Sequence, residues 1–212
     1  MGGGRLFDFD GPFFSFFDRL SDIVILNVVF FVCCLPVFTI GAALTALSTV
    51  TQKMARKEEG YIVRGFFRSF KQNFLQSTGI WLILCFLGLI FALDIRILRG
   101  MEGGPVISAA LGVLLVLGLI YFFEFIYVFP LLAKFDNSIL NTMKNALLLA
   151  VKYLPWTIVL TLLAVLPYIA LYYYLGVMIP VFMLGGFSLI SLASSYIFKR
   201  LFDPLIKEEE TS

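Results

Sequence analysis

The sequence predicts an all-α, polytopic membrane protein, and two observations carry that prediction. Of its 212 residues, 60% are hydrophobic and only 14% are charged, and the mean hydropathy is +0.97. Soluble domains have about 25% charged residues. The second observation is that the apolar residues are concentrated in runs of roughly the 20 residues that cross a bilayer. A soluble fold of this length could not bury so much apolar surface, so lipid is the expected solvent.

Five such runs predict five transmembrane helices within a single membrane domain that spans residues 1–212. The first run is too long for one straight crossing, because a helix rises ~1.5 Å per residue. Pro36 and Gly41 lie inside it, and proline bends or breaks a membrane helix. We therefore predict a first helix that is kinked or broken at these two residues. The five predicted spans are residues 20–50, 74–93, 105–133, 151–174 and 176–198.

Residues 1–19 precede the first span and are predicted to contain a short helix that lies in the outer membrane interface. Here Phe13, Phe16 and Phe17 recur at helical spacing, opposite Asp18. Aromatic side chains favour the headgroup level of a bilayer, where an amphipathic helix can lie. A frayed lead-in to the first span is the alternative interpretation.

Residues 51–73 are predicted to be a cytoplasmic loop that contains an amphipathic helix. Phenylalanines recur along it at helical spacing, and basic side chains occupy another sector of the same helix. Such a helix can lie on anionic lipid or dock a cytoplasmic partner, and the sequence leaves both interpretations open. The candidate docking residues are Arg64, Phe66, Phe67, Arg68, Phe70 and Lys71.

The basic residues also predict the orientation of the chain. Twelve of the 16 Lys and Arg residues lie in residues 51–73, around the start of the fourth span, or after the fifth span. These three regions are the loop after the first span, the loop between the third and fourth spans, and the segment after the fifth span. They fall on one side of the membrane if the five spans alternate in direction. Since loops rich in Lys and Arg stay in the cytoplasm, we expect the N-terminus outside and the C-terminus inside.

Glu124 is an acidic residue well inside the third predicted span, with Tyr121 and Tyr127 three residues away on either side. A carboxylate in a bilayer is costly unless it is protonated or paired, so these three residues form a candidate intramembrane polar site. One interpretation is a structural carboxyl that bonds one helix to another or reaches the inner interface. The other is a place on a proton or substrate pathway.

Three other predicted spans have seams of small and hydroxyl-bearing residues at helical spacing. Such seams allow close helix approach and interhelical hydrogen bonds, although they could also line a solute cavity. The seams are Gly41, Thr45, Ser48 and Gln52 in the first span, Thr157, Thr161, Ala164 and Tyr168 in the fourth, and Ser188, Ser191 and Ser195 in the fifth.

Composition and motifs disfavour several function classes. The chain has no histidine, which removes Ser/His/Asp catalysis and the commonest metal ligand, and it has no phosphate-binding loop. The adjacent Cys33 and Cys34 lack the spacing of a redox pair and lie in an apolar run, where they act as small hydrophobes. A net charge of +2 is too small to indicate nucleic-acid binding. We expect no enzyme activity, no metal and no cofactor, and we expect membrane lipids as partners.

Three stretches together resemble the YesL-like family of small bacterial membrane proteins. They are "LNVVFFVCCLPVFTIGAALTAL", "EEGYIVRGFFRSFKQNF" and "FDNSILNTMKNALLLA". The resemblance implies an integral protein of the cytoplasmic membrane of mainly Gram-positive bacteria, often encoded beside carbohydrate importers that depend on a solute-binding protein. It supplies no catalytic residues.

Two functional hypotheses follow from the residues and the resemblance. The first is a non-enzymatic accessory subunit that associates with a bacterial carbohydrate ABC importer. The second is a small stand-alone transporter or channel in which Glu124 and the Thr/Ser seams line the path. A membrane-bound enzyme or envelope-assembly factor is a weaker third, because the chain has no histidine.

Overall fold

The structure, a computed structural model, describes residues 12–58, 60–101 and 104–211. Within these ranges the chain is helical and has no strand. A short 3-10 turn, Val37–Thr39, separates the first two α-helices, and a π-helical segment, Phe182–Gly186, separates the last two. The α-helices are α1 Pro12–Cys34, α2 Ile40–Arg56, α3 Ile62–Arg99, α4 Pro105–Leu132, α5 Ile139–Lys152, α6 Leu154–Tyr173, α7 Leu175–Val181 and α8 Phe187–Thr211.

Four stretches of the described chain are long and apolar enough to cross a membrane: α3, α4, α6 and the stretch Leu175–Ile206, which joins α7 to α8. They contain or closely match the last four predicted spans. The first predicted span, residues 20–50, is divided between α1 and α2 and is not among the four. One physical reason is length, because α2 has only 17 residues.

The break between α1 and α2 is built around Pro36, whose backbone is extended (φ −77°, ψ 115°). The Thr39 hydroxyl lies 2.6 Å from the carbonyl oxygens of both Cys33 and Pro36, to which it donates. It thereby supplies a donor to the Cys33 carbonyl at the end of the interrupted helix, while the Pro36 carbonyl also accepts from the Thr39 backbone N–H at 3.0 Å. Gly41, the other predicted kink residue, lies in the first turn of α2, so it does not form the break.

The predicted cytoplasmic loop at residues 51–73 is largely helical. α2 continues to Arg56, and α3 starts at Ile62 and runs to Arg99 without interruption. The predicted amphipathic helix and the second predicted span are therefore one helix. Lys57 ends α2 in the left-handed conformation (φ 59°), so the chain turns within a few residues.

Gly41 brings α2 and α3 close together. A Cβ atom at this position would lie 2.6 Å from the Trp81 Cβ and would also collide with the Ser77 carbonyl oxygen. Only glycine fits at this crossing, and the Trp81 indole N–H donates to the Val37 carbonyl oxygen 2.9 Å away. Farther along the pair, the Thr49 and Ser69 hydroxyls are 2.7 Å apart.

α2 is the central helix of the structure, and small residues make its central position possible. Ala42, Ala43 and Ala46 are fully buried, which allows α3, α4 and α8 to pack around the same helix. A second core joins α4, α5 and α8, where the Tyr127 and Phe198 rings meet edge to face with centroids 5.4 Å apart. α5, a short amphipathic helix before α6, covers this core.

The predicted interfacial helix lies only partly within the described chain. α1 begins at Pro12 and continues through this region into the first predicted span. Residues 1–11, and the side chains of Phe13 and Phe16, lie outside the described residues.

Candidate functional site

A groove of about 570 Å³ opens at the turn between α2 and α3, and we call it the basic groove. Four exposed cationic side chains line it, and no ion pair within the described chain neutralises them. Among the described residues, Glu58 is the acidic residue that lines it, together with Tyr61, which is 84% exposed. The groove is therefore a positively charged concavity with an aromatic rim. Its cationic residues are Lys53, Arg64, Arg68 and Lys71.

The structure separates the predicted docking residues into two groups. Arg64, Phe67, Arg68 and Lys71 line the basic groove and are exposed. Phe66 is fully buried in the core between α1, α2 and α3, so it cannot contact a partner. Phe70 packs against the same core, and its ring stacks on that of Phe66 with centroids 6.2 Å apart. These two phenylalanines attach the groove to the membrane helices.

The candidate polar site in α4 is not assembled into one cluster. The Tyr121 hydroxyl donates to the Leu84 carbonyl oxygen of α3 at 2.9 Å, and the Tyr127 hydroxyl lies 2.8 Å from the Thr157 hydroxyl of α6. Glu124 is half-buried, and no hydrogen bond or ion pair within the described chain involves it. The two tyrosines thus tie α4 to its neighbours, while the carboxyl group lies apart from both bonds.

The hydroxyl seams of α2 and α8 meet along their contact. The Thr51 hydroxyl lies 2.9 Å from the hydroxyls of both Ser191 and Ser195. One turn nearer the basic groove, Arg56 forms an ion pair with Asp203 at 2.9 Å. These contacts show the seams bonding one helix to another at this place.

The Gln52 side chain links α2 to the end of α4, because its amide nitrogen donates to the Pro130 carbonyl oxygen at 2.9 Å. On the other side of the bundle, the Gln76 amide of α3 donates to the Asn137 carbonyl oxygen in the turn before α5. The α2–α3 turn, the end of α4 and the second half of α8 therefore lie at one end of the molecule, which we call the basic end.

Asn27 is a site residue that the sequence patterns did not indicate. It is fully buried in α1, and its amide nitrogen donates to the carbonyl oxygens of Phe182 and Met183 at 3.0 and 2.9 Å. Its amide oxygen accepts from the Ser188 backbone N–H at 3.2 Å. A π-helical segment disturbs the regular hydrogen-bond ladder, and Asn27 satisfies groups on both sides of the disturbance. The sequence did contain one sign of this role, namely a single polar residue within the apolar run of α1.

A second concavity, of about 480 Å³, lies between α1, α2, α4, α6 and α8, and we call it the apolar cavity. On α4 it is lined by Phe122, Phe125, Ile126, Phe129 and Pro130. Glu124 is not among its lining residues. Within the described chain, no three His, Cys, Asp or Glu side chains gather in a way that could hold a metal ion.

Comparison with known proteins shows that this sequence is similar to uncharacterized proteins. Residues 23–95 match the model of a family described as "Protein of unknown function, DUF624". The chain is 27% identical over 165 residues to the "Uncharacterized protein YteU" of Bacillus subtilis (strain 168), which covers 77% of this chain and 73% of that protein. It is 27% identical over 133 residues to the "Uncharacterized protein YesL" of the same strain, 62% of each chain. No solved structure matches it. The resemblance that the motifs predict is confirmed as a similarity to YesL, to YteU and, over residues 23–95, to the DUF624 family.

Proposed function

We propose that this protein is a non-enzymatic accessory membrane protein that binds its partner through the basic groove. The observation that carries the proposal is the groove itself. Its four cations have no ion-pair partner within the described chain, and they surround a concavity large enough to accept a protruding side-chain cluster. Such a surface complements an acidic segment of another protein.

The way the groove is built supports protein docking over loose contact with lipid. α3 continues from the groove into the bilayer as one helix, and Phe66 is buried beneath it. The bond between Thr49 and Ser69 holds the same stretch of α3 on α2. A surface fixed in this way loses little conformational freedom on binding, which favours affinity for a defined partner.

The partner that the YesL-like resemblance implies is a bacterial carbohydrate ABC importer. An importer must pass force between its membrane subunits and its ATPase on the cytoplasmic side, where we place the groove. This chain has no phosphate-binding loop of its own. We therefore propose that it associates with the importer's membrane subunits and does not replace them.

We also propose that the basic end faces the cytoplasm and that α1 and α2 together provide a first crossing. The N-terminus then lies outside, the C-terminus inside, and the chain crosses five times. The support is that the three Lys/Arg-rich regions meet at one end through the contacts of Gln52, Arg56 and Gln76. A reporter fused after Lys57 that reads as external would contradict this orientation.

The docking proposal is tested by reversing the charge of the groove in the native host. We expect the tagged wild type, solubilised in mild detergent, to recover a membrane subunit of a carbohydrate importer. The double variant Arg64→Glu/Arg68→Glu should recover at least about tenfold less, because two cationic contacts become repulsive. The matched control is Lys144→Glu, an exposed charge reversal on α5 outside the groove. Equal recovery by the wild type and the double variant, or no importer subunit with either, would overturn the proposal.

A stand-alone transporter is a second candidate, favoured by the apolar cavity between the helices. Its hydroxyl groups come from Ser48, Tyr168, Ser191 and Ser194, so part of the predicted seams faces it. Glu124 does not line it. Flux of a labelled solute into liposomes that contain only this chain would support this candidate and count against the accessory role.

A further inference from the structure

The apolar cavity has the size of a small-molecule site. Its volume of about 480 Å³ lies within the roughly 300–1,000 Å³ of ligand pockets in proteins. Five helices contribute to it, so it lies between the helices, and it is partly open to their surroundings. Large apolar side chains dominate its wall, among them Phe30, Leu47, Phe125, Phe129, Leu160 and Phe187.

Three serine hydroxyls lie on the α2–α8 side of this wall, and two of them are already engaged. Ser191 is bonded to the Thr51 hydroxyl at 2.9 Å, and Ser194 donates to the Ile190 carbonyl oxygen at 2.8 Å. Ser48 is only 9% exposed, and within the described chain its hydroxyl has no hydrogen-bond partner. A hydroxyl that faces an apolar medium without a partner is unfavourable.

Leaving such a cavity empty and filling it with water are both energetically unfavourable. An empty apolar cavity destabilises a fold in proportion to its volume. Buried water needs about three hydrogen bonds per molecule, and this wall offers few groups that could provide them. A sugar is excluded for the same reason, because each of its hydroxyls would need a partner. The occupant must therefore be mostly hydrocarbon.

We propose that the apolar cavity binds a long-chain acyl group, with its hydrocarbon chain against the phenylalanines and its carbonyl oxygen accepting a hydrogen bond from Ser48. A serine hydroxyl is both a donor and an acceptor, so an ester or a carboxyl group can satisfy it. Either a free fatty acid or a phospholipid can provide this group. The site is separate from the basic groove and independent of any importer.

The test uses the purified full-length protein and two probes that carry the same photoactivatable chain. One probe is palmitic acid with a diazirine in its chain, and the other is a phosphatidylglycerol esterified with that acid. After illumination, labelled peptides are mapped by mass spectrometry. We expect saturable labelling of cavity-lining peptides, competed by unlabelled palmitate in the first arm or by unlabelled phosphatidylglycerol in the second. The probe that labels the cavity-lining peptides shows whether the acyl group comes from a free fatty acid or from a phospholipid.

Two variants locate the site. Ala164→Phe adds a ring to a residue that lines the cavity and should reduce cavity labelling at least about fivefold. Its matched control is Ala92→Phe, on an exposed face of α3, which should label like the wild type. Ser48→Ala should weaken binding about 2- to 12-fold, as expected for the loss of one hydrogen bond. Labelling that does not saturate in the wild type, or that is equal in Ala164→Phe and Ala92→Phe, would overturn the proposal. The competition measurement on the wild type holds even if a variant fails to fold.

Discussion

The two ends of the same membrane helices differ sharply in packing. In α3 the last buried residue is Leu84, although the helix continues to Arg99. In α4 the buried residues begin only at Tyr127, and in α6 none follows Leu160. These helices therefore pack tightly at the basic end and present mostly exposed apolar side chains at the other end.

This difference indicates which part of the molecule is built for specific contacts. At the basic end, hydroxyl and amide groups bond one helix to another, and the ion pair of Arg56 and Asp203 lies among them. At the other end, side chains such as Val106 (79% exposed) are suited to lipid. The basic groove thus lies at the end of the molecule where the helices pack most tightly.

The largest effect on this comparison is expected from two glycine substitutions, one where helices are tightly packed and one where the helix is exposed. Gly41→Ala would place a methyl group 2.6 Å from the Trp81 Cβ, where backbone and side chain of α3 leave no room. We expect it to reduce the free energy of unfolding by about 1–3 kcal/mol, the usual cost of overpacking. The measurement is the thermal unfolding midpoint of the detergent-solubilised protein.

The matched control for this experiment is Gly112→Ala in the exposed half of α4. Nothing lies within 4 Å of the added methyl group there, so stability should stay the same or rise slightly. Equal losses at the two positions would contradict the difference in packing between the ends.

A smaller effect is expected from removing one tyrosine hydroxyl at each end. Tyr127→Phe loses the bond to Thr157 and should cost about 0.5–1.5 kcal/mol, the net value of a buried hydrogen bond. Tyr172→Phe removes a hydroxyl from a side chain that is 80% exposed and should cost nothing measurable. The same unfolding assay checks both. A larger loss for the exposed tyrosine would show that the outer end has packing that the structure lacks.

The sequence predicted most of the helices because their signal is local. Length and hydropathy alone identify α4 and α6, whose bounds differ from the predicted spans by at most three residues. Charge patterns likewise identified the exposed residues Arg64, Arg68 and Lys71 of the basic groove.

What the sequence could not show depends on contacts between distant segments. Asn27 bonds to carbonyls 155 and 156 residues away, and no local pattern reports such a partner. Phe66 is buried and its neighbour Phe67 is exposed, because only the fold determines which side of α3 faces α2. Gly41 was predicted to take part in a kink, and the structure places it where α2 and α3 cross closely, because a glycine in an apolar run equally permits the close approach of another helix.

The most direct test of the account compares two positions on the same helix in living cells. A photoreactive phenylalanine analogue is placed at Phe67, in the basic groove, and separately at Phe86, which is 64% exposed in the half of α3 away from the basic end. We expect the probe at Phe67 to cross-link to a membrane subunit of a carbohydrate importer, and the probe at Phe86 to cross-link to lipid. Lipid adducts alone at Phe67, or the same protein adduct at both positions, would contradict it.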